Sequence, residues 1–436
     1  MWRRAIVDAA LMMLALMAAN YLKRIVDAEL SELLGASGAV LIEGAKASGK
    51  TATALRAASS GVMLDVDDNA RQMASLEPAM VLAGNTPRLI DEWQIEPSIW
   101  NHVRREADRR SHPGQFILTG SAVPADDASR HTGAGRFTRL RMRPLSLYEA
   151  GRSSGEISLG GLLDGRSQRA ERSELSIASA AELICAGGWP GNIGKPLSAA
   201  LRVNRGYVDE ICRADLSRVS GKRRDPIKVE RLVRSLARNI ATPVAASMLA
   251  ADVGGSGSGN GLKRDTAAEY MEDLERLMVV ENQPAWGEHL RSRATLRTTP
   301  VRHFVDPSIA VAALRASPES LLRDLQFLGF LFESMAVRDL RIYAQAADAR
   351  VYHYREQDGL EVDAIVEAAD GRWAAFEIKL GERRIAEGAK SLRRLAERAR
   401  GSGHEPPAAL AVITLNGYGF TDGNEVGIIP IGALGP

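Results

Sequence analysis

Gly44, Gly49, Lys50 and Thr51 stand at the spacing G-x-x-x-x-G-K-[ST], directly after the apolar run Ala39-Val40-Leu41-Ile42. A strand that ends in such a turn and opens a helix aims backbone N–H groups and the positive end of the helix dipole at one place, which suits a polyphosphate. The predicted cradle is Gly44, Ala45, Lys46, Ala47, Ser48, Gly49, Lys50, Thr51 and Ala52. Lys50 is expected to reach the β- and γ-phosphates of ATP, and the Thr51 hydroxyl to ligate Mg2+. Gly44 and Gly49 are expected to let the backbone approach the anion with no Cβ in the way.

Two further apolar runs end in polar residues. Arg88-Leu89-Ile90 delivers Asp91 and Glu92, and Phe116-Ile117-Leu118 delivers Thr119, Gly120 and Ser121. Asp91 can serve the metal and its waters, and Glu92 can align an attacking water, which adds hydrolysis to binding. Thr119 or Ser121 is expected to sense the γ-phosphate; the alternative for Asp91 and Glu92 is a solvated strand end, and for Thr119 and Ser121 a pair of turn formers. Arg136 is the candidate cation for charge on the transferring phosphoryl group, with Arg130, Arg139, Arg141 and Arg143 in competition.

A second set lies near the C-terminus: Asp363 in EVDAIVE, Glu377 and Lys379 in AAFEIKL, and Glu333 upstream in FLFESM. Glu377 and Lys379 are two apart on a strand and so share a face. If a hairpin brings Asp363 beside them, Asp363 and Glu377 can hold a second divalent metal while Lys379 positions or deprotonates a water, the equipment of phosphodiester hydrolysis. Carboxylates in apolar strands are costly unless paired, which lifts this set above a chance E-x-K. The competing reading is a salt-bridged strand pair in a domain without activity.

The elements that must position these residues follow from composition and pattern. A chain of 436 residues, 45% hydrophobic and 25% charged, has room for two or three globular domains. Its net charge of +2 does not by itself announce a nucleic-acid partner, and its two cysteines, Cys185 and Cys212, exclude a disulfide framework. A reducing, cytoplasmic setting with no membrane is expected. Residues 1–20 read as an apolar extension: a signal or anchor interrupted by Asp8, a packed amphipathic helix, or the product of an upstream start.

Residues 21–150 are expected to form a parallel α/β nucleotide-binding domain, because strand, helix and strand alternate. Residues 151–305 read as a glycine-rich loop over 151–165, a helical stretch over 175–250, and a helix-turn-helix. In the latter, Pro243–Asp252 and Lys263–Met278 are the helices, 254–261 the turn, and Met278–Val280 with Val301–Val305 a β-wing. A helical lid that touches no DNA is the alternative. Residues 306–436 pattern as helix, hairpin, strand, basic helix, strand, an α/β domain of their own.

The order LIEGAKASGKT, LIDEWQ, FILTGSA, GRFTRLRMRPLSLYE, GGWPG, GFLFESMAVRDL, YREQDGLEVDAIVE and FEIKLG resembles prokaryotic AAA-type ATPases that carry a C-terminal PD-(D/E)xK nuclease-like domain. The resemblance implies Walker A residues at Gly44, Gly49, Lys50 and Thr51, a Walker B pair at Asp91 and Glu92, a first sensor at Thr119 to Ser121, and a nuclease-like signature at Glu333, Asp363, Glu377 and Lys379. Val362 stands where the signature's name puts proline. The implied architecture is a P-loop core, a helical lid with a winged-helix-like module, and a restriction-nuclease-like domain. The implied activity is a Mg-ATPase acting on a DNA-binding or DNA-cutting domain within a homo-oligomer. A nucleotide-dependent switch that binds protein or DNA and cuts nothing is the alternative.

Overall fold

The computed structural model describes residues 21–436 other than 122–132, 255–261, 288–298, 357–358, 404 and 423–424. The apolar extension and Arg130 therefore lie outside the described residues. Contacts divide the chain into two compact units, Met1–Pro144 with Arg276–Met278, and Leu145–Glu275 with Val279–Pro436.

The first unit runs α1 (Val26–Ala36), β1 (Ala39–Glu43), α2 (Lys50–Ala57), β2 (Ser60–Met63), α3 (Asp68–Leu76), β3 (Arg88–Asp91), α4 (Ile99–Arg110), β4 (Phe116–Gly120) and β5 (Phe137–Arg141). All five strands are parallel, in the order β2-β3-β4-β1-β5. Both faces of such a sheet are covered, so its central strands are apolar throughout rather than alternating. Successive residues divide between the faces. Ala39, Leu41, Phe116 and Leu118 enter one core with Trp93, Trp100 and Val103, while Val40, Ile42 and Ile117 enter another with Val26, Leu30 and Leu55. Each fully buried aliphatic side chain contributes about 1.5–3 kcal/mol of transfer free energy, and together they fix the β1 and β4 ends that carry the polar residues.

The second unit opens with β6 (Ile157–Ser158) and β7 (Gln168–Ser173) and continues through α5 (Ile177–Ala186), α6 (Leu197–Glu210), α7 (Pro226–Arg238), α8 (Ala246–Gly254), α9 (Arg264–Arg276), β8 (Val280–Gln283) and β9 (Val301–Phe304). The glycine-rich stretch expected as loop thus holds β6 and a short helix, Leu159–Leu163, whose N-cap Ser158 accepts from the Gly161 amide. Asp225 caps α7 by accepting from Ile227 N, with Pro226 at the first turn. α8 and α9 fall where the helix-turn-helix was expected, while its turn lies outside the described residues apart from Gly254. β8 and β9 pair antiparallel, and Thr242 adds an antiparallel bridge to Arg302.

Two short helices, Ser308–Ala313 and Pro318–Leu322, lead to α10 (Leu325–Ala346), β10 (Ala349–Arg355), β11 (Glu361–Ala368), β12 (Trp373–Lys379), α11 (Ile385–Gly401), β13 (Ala409–Thr414), β14 (Gly417–Asp422) and β15 (Glu425–Pro430), and Leu434–Gly435 then pairs with β6. Strands β10 to β15 and β7 form one seven-stranded sheet, β10-β11-β12-β13-β15-β14-β7. The segment at 168–173, which meets β14 across as many as 253 residues of sequence, therefore completes an edge of the C-terminal sheet.

A buried ionic cluster binds distant parts of this unit. Arg338 on α10 donates to Asp306 Oδ2 at 2.7 Å and to Asp339 Oδ1 at 2.8 Å, and all three side chains are buried. Asp306 also accepts from Gly188 N (2.9 Å) and Ser308 N (2.9 Å), and Asp339 Oδ2 from Leu147 N (3.0 Å). Gly188 must be glycine because a Cβ there would stand 2.1 Å from the Leu145 carbonyl oxygen. The PLSLYE, GGWPG and VRDL motifs thus meet in one structural fastening rather than at a reaction centre.

Candidate active site and C-terminal acid cluster

β1 ends at Glu43 and the chain turns through Gly44–Gly49 into α2. Gly49 sits at φ 101° and caps the helix, a conformation that suits glycine. At Gly44 a Cβ would fall 2.1 Å from the carbonyl oxygen of Met142, which follows β5, so the backbone there is held close to the neighbouring strand. The first turn of α2 leaves its amide N–H groups pointing into the bend, as helix N-termini do. Lys50 is 5% exposed and its Nζ donates to the Ala45 carbonyl at 3.0 Å. Burial pushes its ammonium down to about 8, against the pull of Glu92 and Asp91.

Parallel pairing of β1 with β4 and β3 with β4 gathers the polar strand ends beside this turn. Thr51 Oγ1 donates to Asp91 Oδ1 at 3.0 Å, and Thr119 Oγ1 donates to the same oxygen. Burial raises the Asp91 carboxyl above its ordinary range, while the Thr119 and Thr51 hydroxyls oppose that shift. Glu92 takes a left-handed φ of 53°, and its N–H is held by Thr119 Oγ1 at 3.1 Å. Its carboxylate accepts from Ser121 Oγ at 3.3 Å and from Gln94 Nε2. The Thr119 hydroxyl is therefore engaged with the Asp91 carboxylate and the Glu92 amide, as a brace between the two residues.

Arg136 is placed elsewhere. It precedes β5, its carbonyl accepts from Ala39 N at the start of β1, and its guanidinium pairs with Asp108 at 2.9 Å. Five residues of strand, roughly 16 Å at 3.3 Å each, separate it from the turn at the other end, so it lies at the opposite end of β1 from Lys50 and Thr51. Arg141, opposite Glu43 in the parallel register, is at the correct end, and its charge is felt by Lys50. Arg139 pairs with Glu43 at 2.7 Å.

Sequence reasoning missed the residues that clamp the turn from behind. Buried Arg24 donates to Ser48 O at 2.9 Å and to Arg143 O at 2.7 Å, and Tyr21 OH lies 2.9 Å from Thr53 Oγ1. Nothing in their spacing distinguishes them, because their partners are scattered along the chain.

In the second unit the antiparallel β11–β12 register brings Asp363 beside Glu377 and Lys379. Asp363 Oδ2 accepts from Lys379 Nζ at 3.0 Å and from Ile378 N at 2.7 Å, and Lys379 also pairs with Glu377. Burial, then the Asp363 charge, pushes the Glu377 carboxyl up to about 8. Burial would lower Lys379, but the two carboxylates outweigh it and hold the ammonium above its usual range. Glu333 on α10 joins the group electrostatically, raised well above the carboxylate range by burial and then by Asp363. Among the described residues no set of three or more His, Cys, Asp or Glu is placed to hold a metal ion. The two-carboxylate grip expected for a second metal is instead bridged by the lysine ammonium.

A relay behind this cluster was also invisible in the sequence. Gln283 Nε2 donates to the carbonyls of Asp363 and Tyr352, both at 2.9 Å, and Gln283 Oε1 accepts from His303 Nε2 at 3.0 Å. That assigns the proton to Nε2, so His303 Nδ1 accepts from Ser334 Oγ at 3.1 Å. The β8–β9 ribbon thereby holds the strand of Asp363 and the helix turn of Glu333.

Residues 36–151 match the family model described as an AAA domain, so the first unit is similar to AAA-type P-loop ATPase domains. Residues 177–320 and 328–434 match two models, Domain of unknown function (DUF8612) and Domain of unknown function (DUF4143). Two curated relatives, the uncharacterized proteins Mb2031c of Mycobacterium bovis and Rv2008c of Mycobacterium tuberculosis, are each 24% identical over 364 residues, 82% of this chain and 74% of theirs. Among solved structures, the Walker-type ATPase PABY2304 of Pyrococcus abyssi aligns at 13% identity and a TM-score of 0.40, over 66% of this chain and 94% of that one. The ORC2 protein of Aeropyrum pernix, solved in ADPNP-ADP complexes, aligns at 12% and 0.30, over 73% and 94%. Among the described residues, no helix is long and apolar enough to cross a membrane.

Proposed function

We propose that this chain is a Mg2+-dependent ATPase whose nucleotide state governs a nuclease-like, nucleic-acid-binding C-terminal domain, the helices α7 to α9 with the β8–β9 ribbon forming a winged-helix-like module between them in sequence. The observation that supports it most is the chain of contacts Thr51–Asp91–Thr119–Glu92 beside Lys50 and the glycine-rich turn. Thr51 and Asp91 would hold Mg2+, which when bound draws charge from the phosphates. Lys50 would exchange the Ala45 carbonyl for phosphate oxygens, and Glu92 would orient the attacking water and accept its proton. Thr119 keeps the two acids in register.

The test compares Lys50→Ala with Glu92→Gln. The first should lose ATP binding by calorimetry, and the second should bind ATP and fail to turn it over. Equal turnover in the Glu92→Gln protein removes Glu92 from the mechanism.

A second reading, a switch that binds without cutting, is favoured by the Lys379 ammonium bridging Asp363 and Glu377. Plasmid cleavage with Mg2+ or Mn2+ by the wild type, compared with Glu377→Ala and Lys379→Ala, separates the two. Metal-dependent cutting that both substitutions abolish supports a nuclease, and no cutting by pure wild type supports the switch.

A further inference from the structure

The C-terminal sheet carries α10 on one face and α11 on the other. Leu392, Leu395 and Ala399 of α11 pack with Val412 of β13 and against Val426 of β15. On the outer side of α11 stand Lys390, Arg393, Arg394 and Arg400, all exposed, with Arg398 on its flank paired to Glu356 at 3.6 Å, against the acids Glu387 and Glu397. β14 and β7 continue the sheet beyond α11, and their outward residues are unusual. Tyr418 is 68% exposed and Phe420 42%.

Their facing follows from the register. Gly419 between them points at Ile157 and Ala170, where a Cβ would meet atoms at 2.7 and 2.9 Å. Phe420, next along the strand, therefore points the other way, and Tyr418, at the irregularity between Gly417 and Gly419, is the more exposed of the two rings. Phe420 stands opposite Ile428 of β15 and Arg169 of β7, and Ile428 shares its face with Val426, the α11 side. Two exposed aromatic rings with an arginine across the strand thus adjoin a cationic helix. α11 also begins over the acid cluster, since Gly388 approaches Glu377 so closely that a Cβ would lie 3.0 Å from its Cβ.

The geometry points to this shelf as a binding surface for single-stranded nucleic acid, with bases stacked on Tyr418 and Phe420 and phosphates met by Arg169 and the α11 cations. The inference rests on the reading of the C-terminal domain as nucleic-acid-binding. Stacking on exposed rings needs unpaired bases, which selects single strands over duplex, and a cationic flank selects a polyanion. The helix that a helix-turn-helix would present carries the opposite sign: α9 holds Asp265, Glu269, Glu272, Asp273 and Glu275 against Arg264 and Arg276. Three of these acids are already paired within the unit, Glu269 and Asp273 with Arg224 and Glu275 with Arg302, so α9 offers a phosphate backbone no cationic face comparable to that of α11.

Fluorescence anisotropy of labelled oligothymidine and oligouridine with the full chain tests this, with the matching duplex as competitor. Each of Tyr418→Ala and Phe420→Ala should weaken binding roughly 5- to 150-fold, while Tyr418→Phe keeps it. Arg393→Gln should lower the slope of log affinity on log salt by about 0.7. Both aromatics are exposed, and unchanged urea midpoints confirm that the variants fold. Wild-type binding that ignores both aromatic substitutions overturns the shelf and leaves the nucleic-acid reading standing. No binding of either oligonucleotide overturns both. Self-association that Tyr418→Ala abolishes, with no oligonucleotide bound, assigns the face to a second copy and refutes the inference.

Discussion

Replacing Arg338 by Met should cost the second unit about 3–5 kcal/mol, because it leaves two deeply buried carboxylates, Asp306 and Asp339, without their cation. That is a large share of the 5–15 kcal/mol that holds a typical domain, so the urea midpoint should drop sharply or the cooperative transition disappear. The more discriminating variant removes every charge: Arg338→Met with Asp306→Leu and Asp339→Leu. An isolated ion triad can often be replaced this way at no loss. Here the carboxylates also accept from the amides of Gly188, Ser308 and Leu147. Three stranded buried donors at about 1–3 kcal/mol each give roughly 3–9 kcal/mol of destabilisation. Urea unfolding, together with hydrogen exchange at Leu147 and Gly188, measures it. A triple variant as stable as wild type, with both amides still protected, would falsify the claim that the carboxylates serve the backbone.

Gly44→Ala should displace the turn from the Met142 carbonyl and weaken ATP binding at least tenfold by calorimetry, and unchanged affinity would show that the turn relaxes freely. Thr119→Val removes a hydroxyl that serves Asp91 and the Glu92 amide, so ATP turnover should fall further than ATP affinity. Burial lowers His353 to about 4 and His303 well below its ordinary value, so the unfolded chain takes up protons near pH 6.5 that the folded chain refuses. Their contribution is complete above pH 6.5 and drains as pH falls below it, for His353 down to about 4, at about 1.4 kcal/mol per unit for each histidine. His353→Gln should flatten that slope in urea midpoints taken from pH 7 to 5, and an identical slope would count against it. Because Arg136 faces away from the nucleotide end of its own β1, a neighbouring copy's arginine is the expected complement, and light scattering should show a larger particle with ATP than without.

Much of the nucleotide site was legible in the chain because its parts are local. The turn from Gly44 to Thr51 is eight consecutive residues, and Asp91, Glu92, Thr119 and Ser121 sit at the ends of apolar runs that can only be buried strands. The same holds for Asp363, Glu377 and Lys379, whose alternation on neighbouring strands foretells a shared face. Arg136 failed because a run of arginines carries no mark of which end of a strand each will occupy. That depends on the β1–β5 register, which pairs Ala39 with Phe137.

Sequence patterning determined the elements and the residues at their ends, since helix and strand periodicity and the glycine-rich turn act over a few positions. The tertiary structure alone decided the strand order, the clamp of Arg24 on Ser48, the Gln283–His303 relay and the Arg338 cluster. Their partners lie up to 192 residues apart, as Leu147 and Asp339 do. Such pairings arise only when packing removes both groups from water, and then each buried charge or amide must find whichever partner the fold has placed within 3 Å.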